Sequence, residues 1–306
     1  MKKDFLSLFD WSKEEMDEFL ASAKALKEDQ KKGTSRSSLR GKTIGMIFDK
    51  PSTRTRVSFE AGMAQLGGQS IFLSGGELQL SRGETIADTA RVMSRYVDGV
   101  VIRTFSHKMV EDFAHHAEVP VINGLTDLLH PCQILSDLFT LTEKRGQYKN
   151  LSIVYVGDGN NVANSWINAA ARLGFALTLA CPEGYQPNKG ILARAFQQEG
   201  SKIRLIEDPG EAVRGADVIY TDVWASMGQE AEAGKRADIF GPFQVNQQLV
   251  KKADKKVLVM HCLPAHRGDE ITDEVIDGPH AIVWDQAENR LHVQKAILER
   301  LLKQKP

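Results

Sequence analysis

Cysteine is scarce in this chain: three in 306 residues, at positions 132, 181 and 262. An odd number without CxxC spacing excludes a disulfide framework, offers no zinc-ligand pattern and suits a reducing cytosol. No apolar run approaches the roughly 18 residues that a membrane span requires. No secretory leader is expected, because Asp4 follows Lys2 and Lys3 and no long apolar stretch comes after. An excess of either charge is also missing. The 39 Lys and Arg residues are mixed along the chain with 40 Asp and Glu, so the basic stripe that nucleic acid requires is absent. Internal repeats and low-complexity segments are lacking too. These absences point to a cytoplasmic protein with no nucleic-acid partner and no membrane partner; no metal or cofactor is expected.

What is present is ordinary globular material. Hydrophobic residues make up 42% and charged residues 26%, and the length exceeds one ordinary core. Ser12 to Glu15 reads as a capping box, with Met16, Phe19, Leu20 and Ala23 following at helical spacing. Thr43–Phe48 reads as a buried strand, and after it comes a helix on which Val57, Ala61 and Ala64 share a face. Further strands are expected at Gly99–Ile102, Val119–Ile122, Leu151–Val156, Ala176–Ala180, Lys202–Leu205, Val218–Tyr220, Val257–Met260 and Ala281–Trp284. Strands alternating with helices predict an α/β protein of two domains, each a mostly parallel sheet flanked by helices. The helical pattern Cys132–Lys144 would bridge the two, with the boundary near Tyr148. The last helix, about Glu288–Leu302, would return to the first domain.

Three loops, each following an apolar run, carry groups suited to chemistry. Ser52-Thr53-Arg54-Thr55-Arg56 lies between a strand and a helix. Free N–H groups at a helix start, hydroxyls and a planar guanidinium together make an anion site. His130-Pro131-Cys132-Gln133 opens a helix; Pro131 suits its first position, so His130 would be the N-cap with its ring open at the helix mouth. His261-Cys262-Leu263-Pro264 follows the strand at Val257–Met260. Taken alone, Arg103 reads as a surface residue after a strand and Cys262 as a small core residue. A fourth stretch, Asp222-Val-Trp-Ala-Ser226-Met227-Gly228, sets a carboxylate four residues before a Ser-Met-Gly turn. Nearly all these positions lie just beyond the C-terminal ends of strands, where α/β sheets bind ligands.

In this order the motifs resemble the carbamoyltransferases of the aspartate/ornithine superfamily, and Asp222–Gly228 resembles the amino-acid site of its ornithine enzymes. The likeness runs from Thr43 to Arg290. It implies carbamoyl transfer from carbamoyl phosphate to the δ-amine of L-ornithine. Ser52, Thr53, Arg54, Thr55 and Arg103 would hold the phosphate, while His130 and Gln133, with Thr and Arg side chains, would hold the carbamoyl oxygen and amide. Such donors form an oxyanion hole, each typically worth about 3–4 kcal/mol. Arg103, His130, Thr55 and Cys262 would be the catalytic set. By the same resemblance Cys262 lies beside the reacting amine, and the backbone of Cys262 and Leu263 helps hold the carbamoyl amide. Arg290 matches a further carbamoyl-phosphate contact, although taken alone it is equally a helix-surface residue. Asn161, or its neighbour Asn160, would bind ornithine together with Asp222, Ser226 and Met227, and the polar stretch to Gly234 would form a closing lid. Gln79 would reach carbamoyl phosphate in the adjacent subunit of a homotrimer, or a multiple of trimers, with shared active sites. Residues 1–147, with 288–306, would form the carbamoyl-phosphate domain and 148–287 the ornithine domain.

Three other readings compete; one is a noncatalytic binding or assembly protein with a degenerate site, against which intact Arg54, Arg103, His130 and Cys262 argue. Transfer to a different amine, such as putrescine or N-acetylornithine, keeps the phosphate loop but makes less use of Asp222 to Met227. A nicotinamide-dependent dehydrogenase is suggested by Gly157-Asp158-Gly159-Asn160-Asn161-Val162. That fingerprint lacks its third glycine, and this reading leaves Ser52–Arg56 unexplained.

Overall fold

The computed structural model describes residues 2–34, 36–79, 83–225 and 233–303. It divides into two compact units, Met1–Phe139 with Glu288–Pro306, and Thr140–Ala287.

In the first unit α1 (Lys13–Lys31) begins at the expected capping box: Ser12 Oγ accepts the Glu15 N–H and the Glu15 carboxylate accepts the Ser12 N–H. There follow β1 (Thr43–Phe48), α2 (Thr53–Gln65), β2 (Gln69–Ser74), α3 (Ile86–Tyr96), β3 (Gly99–Arg103), α4 (His107–His116), β4 (Val121–Leu125) and α5 (Pro131–Arg145). The strands form one parallel sheet in the order β2-β1-β3-β4. All five residues of β3 are buried. Continuous burial is what a strand covered on both faces needs, and parallel crossovers supply that cover.

The second unit contains β5 (Ser152–Val156), α6 (Asn161–Leu173), β6 (Ala176–Ala180), α7 (Lys189–Phe196), β7 (Ile203–Leu205), α8 (Pro209–Ala212), β8 (Val218–Thr221), α9 (Ala233–Phe240), α10 (Gln247–Val250), β9 (Leu258–His261) and α11 (Asp273–Ile276). Its parallel sheet runs β7-β6-β5-β8-β9. One apolar cluster joins Val154, Val156, Ile219 and Val259 to Val245, Ile271 and Val275. Tyr155 stacks on Tyr220 at 5.9 Å, and Trp166 meets Tyr220 edge-on at 5.4 Å. The chain passes between units within α5 and again within α12 (Val283–Leu302).

Three expectations change. Ala281–Trp284 is not a strand: Ala281 makes an isolated bridge to Val259, Val283 opens α12, and Trp284 is exposed. A four-residue apolar run carries no periodicity that separates a strand from a helix start. The strand β2 was not anticipated; it is an edge strand of mixed burial without a continuous apolar run. The face of α2 bearing Val57 and Ala64 is exposed, and the helix buries Thr55, Phe59, Gly62 and Met63 instead. Phe59 and Met63 offer more apolar area than two alanines, and the larger stripe turns to the core.

Each sheet has one point where the winding reverses. From β1 the chain adds β2 on one side and β3 on the other; from β5 it adds β6 and then β7 on one side and β8 on the other. At such a reversal the loops leaving neighbouring strands part in opposite directions and open a crevice at the C-terminal ends. The loops after β1, β5 and β8 carry Ser52–Arg56, Asn160–Asn161 and Asp222, and Arg103 ends β3; His130 follows β4 and Cys262 follows β9.

Candidate active site

Ser52 is the N-cap of α2, with extended backbone and an Oγ that accepts the Thr55 N–H at 3.1 Å. Arg56 N–H is taken by the Ser52 carbonyl at 3.3 Å. The N–H groups of Thr53 and Arg54 remain at the helix mouth with no acceptor among the described residues, as an anion site requires. Thr55 is fully buried, and its Oγ1 accepts a hydrogen bond at 2.8 Å from Arg290 on α12. This contact spans 235 residues of sequence, so Arg290 is a buried member of the cluster rather than a helix-surface residue.

Arg103, at the end of β3, is buried, and its carbonyl accepts the Asp49 N–H, just ahead of the Ser52–Arg56 loop, at 2.9 Å. The carbonyl of His130 accepts the N–H groups of Gln133 and Ile134 and so starts α5. The ring was expected open at the helix mouth, but it is buried. Burial, reinforced by the charges of Arg290, Arg103 and Arg54, pulls its pKa well below the usual histidine value. Near pH 7 the ring is therefore neutral, and it carries one donor nitrogen and one acceptor. Gln133 is fully buried. Its Nε2 donates to Asp137 at 2.9 Å, and its Oε1 has no donor among the described residues. A buried acceptor without a partner costs about 1–3 kcal/mol, and a functional site is where such a cost persists. Cys132 beside it is inert: burial pushes its thiol up to about 12. Gln79 is exposed beyond the edge strand β2.

In the second unit Asn160 caps α6, its Oδ1 accepting the N–H groups of Val162 and Ala163. Its Nδ2 donates to Asp222 Oδ2 at 2.7 Å. The Asn160 amide is thus committed in both directions. The other Asp222 oxygen accepts the Cys262 thiol at 2.9 Å, and Asp222 is buried while Cys262 is half-buried. One carboxylate therefore ties together the loops after β5, β8 and β9. The glycines that suggested a nucleotide fingerprint serve the protein's own packing. A Cβ at Gly159 would lie 2.3 Å from Pro187 N and 2.4 Å from the Gln186 carbonyl carbon, so this backbone passes against another strand of chain rather than a pyrophosphate. Asp158 is paired with buried Arg236 at 3.0 Å, and Arg236 also donates to the Trp224 carbonyl at 2.6 Å. Ser226, Met227 and the expected lid up to residue 232 lie outside the described residues.

Ligand atoms of Asp222, His261 and Cys262 lie within 4.8 Å of one another. As a metal site the set is poor. His261 Nδ1 accepts the Leu263 N–H and Nε2 pairs with Glu270, while both Asp222 oxygens already hold donors. The pattern is a closed hydrogen-bond network around one carboxylate and one imidazole.

The geometry has its counterpart in known proteins. Residues 3–143 match the model of the aspartate/ornithine carbamoyltransferase carbamoyl-P binding domain, and residues 149–301 that of the Asp/Orn binding domain. The chain belongs to the aspartate/ornithine carbamoyltransferase family. Among its relatives, the ornithine carbamoyltransferase of Syntrophus aciditrophicus is 62% identical, over 99% of this chain and 100% of that protein. The anabolic ornithine carbamoyltransferase of Pyrococcus furiosus is 57% identical, over 97% of this chain and 95% of that one. The solved structure of a Pyrococcus furiosus ornithine carbamoyltransferase superposes with a TM-score of 0.96 at 55% identity, covering 100% of this chain and 98% of that one. Within this family frame, the first unit gathers Thr55, Arg103, His130 and Arg290, and the second gathers Asp222 and Cys262. Missed in the sequence were the roles of Asn160 as cap and clamp, the Arg236–Asp158 pair and Glu270 behind His261. Only Asn160 carried a local signal, as an Asn directly before a helical run.

Proposed function

We propose that this protein transfers the carbamoyl group of carbamoyl phosphate to the δ-amine of L-ornithine, forming L-citrulline and phosphate, a step of arginine metabolism. The observation that carries the reading is the neutral, buried imidazole of His130 under the charges of Arg54, Arg103 and Arg290. Three guanidiniums around a neutral ring suit a dianionic phosphate joined to an uncharged carbamoyl group. The arginines, Ser52, Thr53 and the N–H groups at the start of α2 take the phosphate. His130, Thr55 and Arg103 stabilise the carbonyl oxygen as it becomes an oxyanion. Gln133 Oε1 accepts from the carbamoyl amide, assisted by the backbone of Cys262 and Leu263.

The δ-amine attacks in its neutral form. A C–N bond forms to the carbamoyl carbon, the C–O bond to phosphate breaks, and the proton that the amine gives up ends on the departing phosphate. Asp222, with Asn161, Ser226 and Met227, holds the amino-acid end. Asn161 is preferred to Asn160 because the Asn160 amide is already spent on its cap and on Asp222. The labour divides between residues 1–147 with 288–306, for carbamoyl phosphate, and residues 148–287, for ornithine. The assembly we favour is a homotrimer, or a multiple of trimers, in which exposed Gln79 reaches the carbamoyl phosphate of a neighbouring subunit. A cytoplasmic setting suits three cysteines that form no disulfide. No helix among the described residues is long and apolar enough to cross a membrane.

Purified protein given carbamoyl phosphate with ornithine, putrescine, aspartate and N-acetylornithine in parallel tests the reading. Citrulline from ornithine is the expected product. Turnover confined to another amine would overturn the acceptor assignment, and no turnover with any amine would overturn the reaction.

A further inference from the structure

Leu263 is the one non-glycine residue with positive φ among the described residues, at +58°. An L-residue in this region is strained and persists only where its surroundings over-determine it. What determines it here is a chain of three groups. The Leu263 N–H donates to His261 Nδ1 at 2.8 Å, so Nδ1 holds a lone pair and the ring proton belongs on Nε2. Nε2 lies 3.0 Å from Glu270 Oε1, which accepts that proton's hydrogen bond. The same oxygen accepts the His266 N–H at 2.6 Å, and both His261 and Glu270 are completely buried. The His261 N–H is held at 3.0 Å by Gln286 Oε1. One buried carboxylate therefore sets the imidazole tautomer, and the imidazole sets a peptide.

The direction of that peptide is the consequence. A trans peptide is planar, with its C=O opposite its N–H. The Cys262–Leu263 peptide points its N–H into His261, so the Cys262 carbonyl points away from the ring. The opposite tautomer would set Nδ1–H against the Leu263 N–H and drive the peptide to turn. We propose that Glu270 and His261 are positioning residues for carbamoyl transfer: Glu270 fixes the Nε2–H tautomer, and His261 holds the Cys262 carbonyl outward as an acceptor for the N–H of the carbamoyl amide. The proposal rests on the reading above, in which this turn holds the carbamoyl amide.

The test compares wild type, Glu270→Gln and Glu270→Leu, with steady-state kinetics, thermal melting and the 15N shifts of the His261 ring. Glutamine keeps an acceptor oxygen and loses only the charge on the hydrogen bond, so kcat falls less than about tenfold and Nδ1 stays unprotonated. Leucine removes the acceptor; kcat falls about 10²-fold at temperatures well below melting, as for an ångström-scale misplacement. Binding of inorganic phosphate is unchanged in both. A folded Glu270→Leu protein with wild-type kcat would overturn the positioning role while the wild type still makes citrulline. If that variant does not fold, wild-type protein decides: a proton on Nδ1 overturns the proposal, and a proton on Nε2 with an active Glu270→Gln supports it. Wild type that makes no citrulline removes the functional reading and, with it, the role built on it.

Discussion

Arg54 stands on the first turn of α2, and its charge is felt by His130 across the start of α5. On the proposed reading, removing it takes a guanidinium from the phosphate, while the N-cap and the buried face of α2 stay untouched. Arg54→Ala should therefore weaken carbamoyl phosphate by about 10²-fold, the worth of a charged hydrogen bond, with an unchanged melting temperature; calorimetric titration reads both substrates. Asp222 is the corresponding residue proposed for the acceptor end. Asp222→Ala should raise the KM for ornithine far more than that for carbamoyl phosphate, and equal weakening of both would show the acceptor site to be misread. The two residues differed in how legible they were. Arg54 sits within a five-residue motif whose neighbours have the character of an anion site. Arg290 reaches Thr55 from 235 residues away, and nothing local distinguishes it from a surface arginine. Likewise, no window around His130 could show that three distant arginines would keep its ring neutral.

At the level of elements, the strands that sequence patterning located best are those covered on both faces. Thr43–Phe48 and Ala176–Ala180 appear with the expected bounds, because a continuous apolar run flanked by turns has one reading in an alternating β/α chain. The edge strand β2 and the start of α12 escaped, since their character is set by what pairs with them and not by their own pattern. The loop-to-helix junctions carry two predictions. Ser52→Ala removes the acceptor for the Thr55 N–H; it should cost about 1 kcal/mol of stability and also weaken phosphate binding. Gly159→Ala puts a methyl group 2.3 Å from Pro187 N. Backbone on both sides must then shift, at a cost of about 1–3 kcal/mol. Because Asn160 and Asn161 follow directly, the KM for ornithine should rise as well, which a kinetic assay alongside urea unfolding would register.

Across the whole molecule, two parallel sheets each place their winding reversal beneath several of the loops that bear the polar residues, those after β1, β5 and β8, and this makes the motif order readable as chemistry. The same arrangement separates the pH dependence of stability from that of activity. His130 is held neutral by burial and three arginines, and burial with the charges of Lys295 and Lys27 pulls His292 down to about 4. In the unfolded chain both return to about 6.5. Below that value the unfolded state binds more protons than the native state, so stability falls as pH drops from about 6.5, and above it these groups contribute no slope. The urea midpoint should be level from about pH 7 to 8 and decline below about 6.5, and His292→Gln should flatten part of that decline without touching the transfer site. Activity has a different origin. A free alkyl ammonium with a pKa near 10.4 leaves about one molecule in 10³ neutral at physiological pH. If the site does not change that pKa, kcat, which reports groups in the bound complex, climbs nearly tenfold per pH unit between about 7 and 9, a range in which the two histidines leave stability flat. A rate already level at pH 7 would mean that the arginine-rich donor end lowers the amine's pKa in the bound state, and Arg54→Ala should then restore the slope.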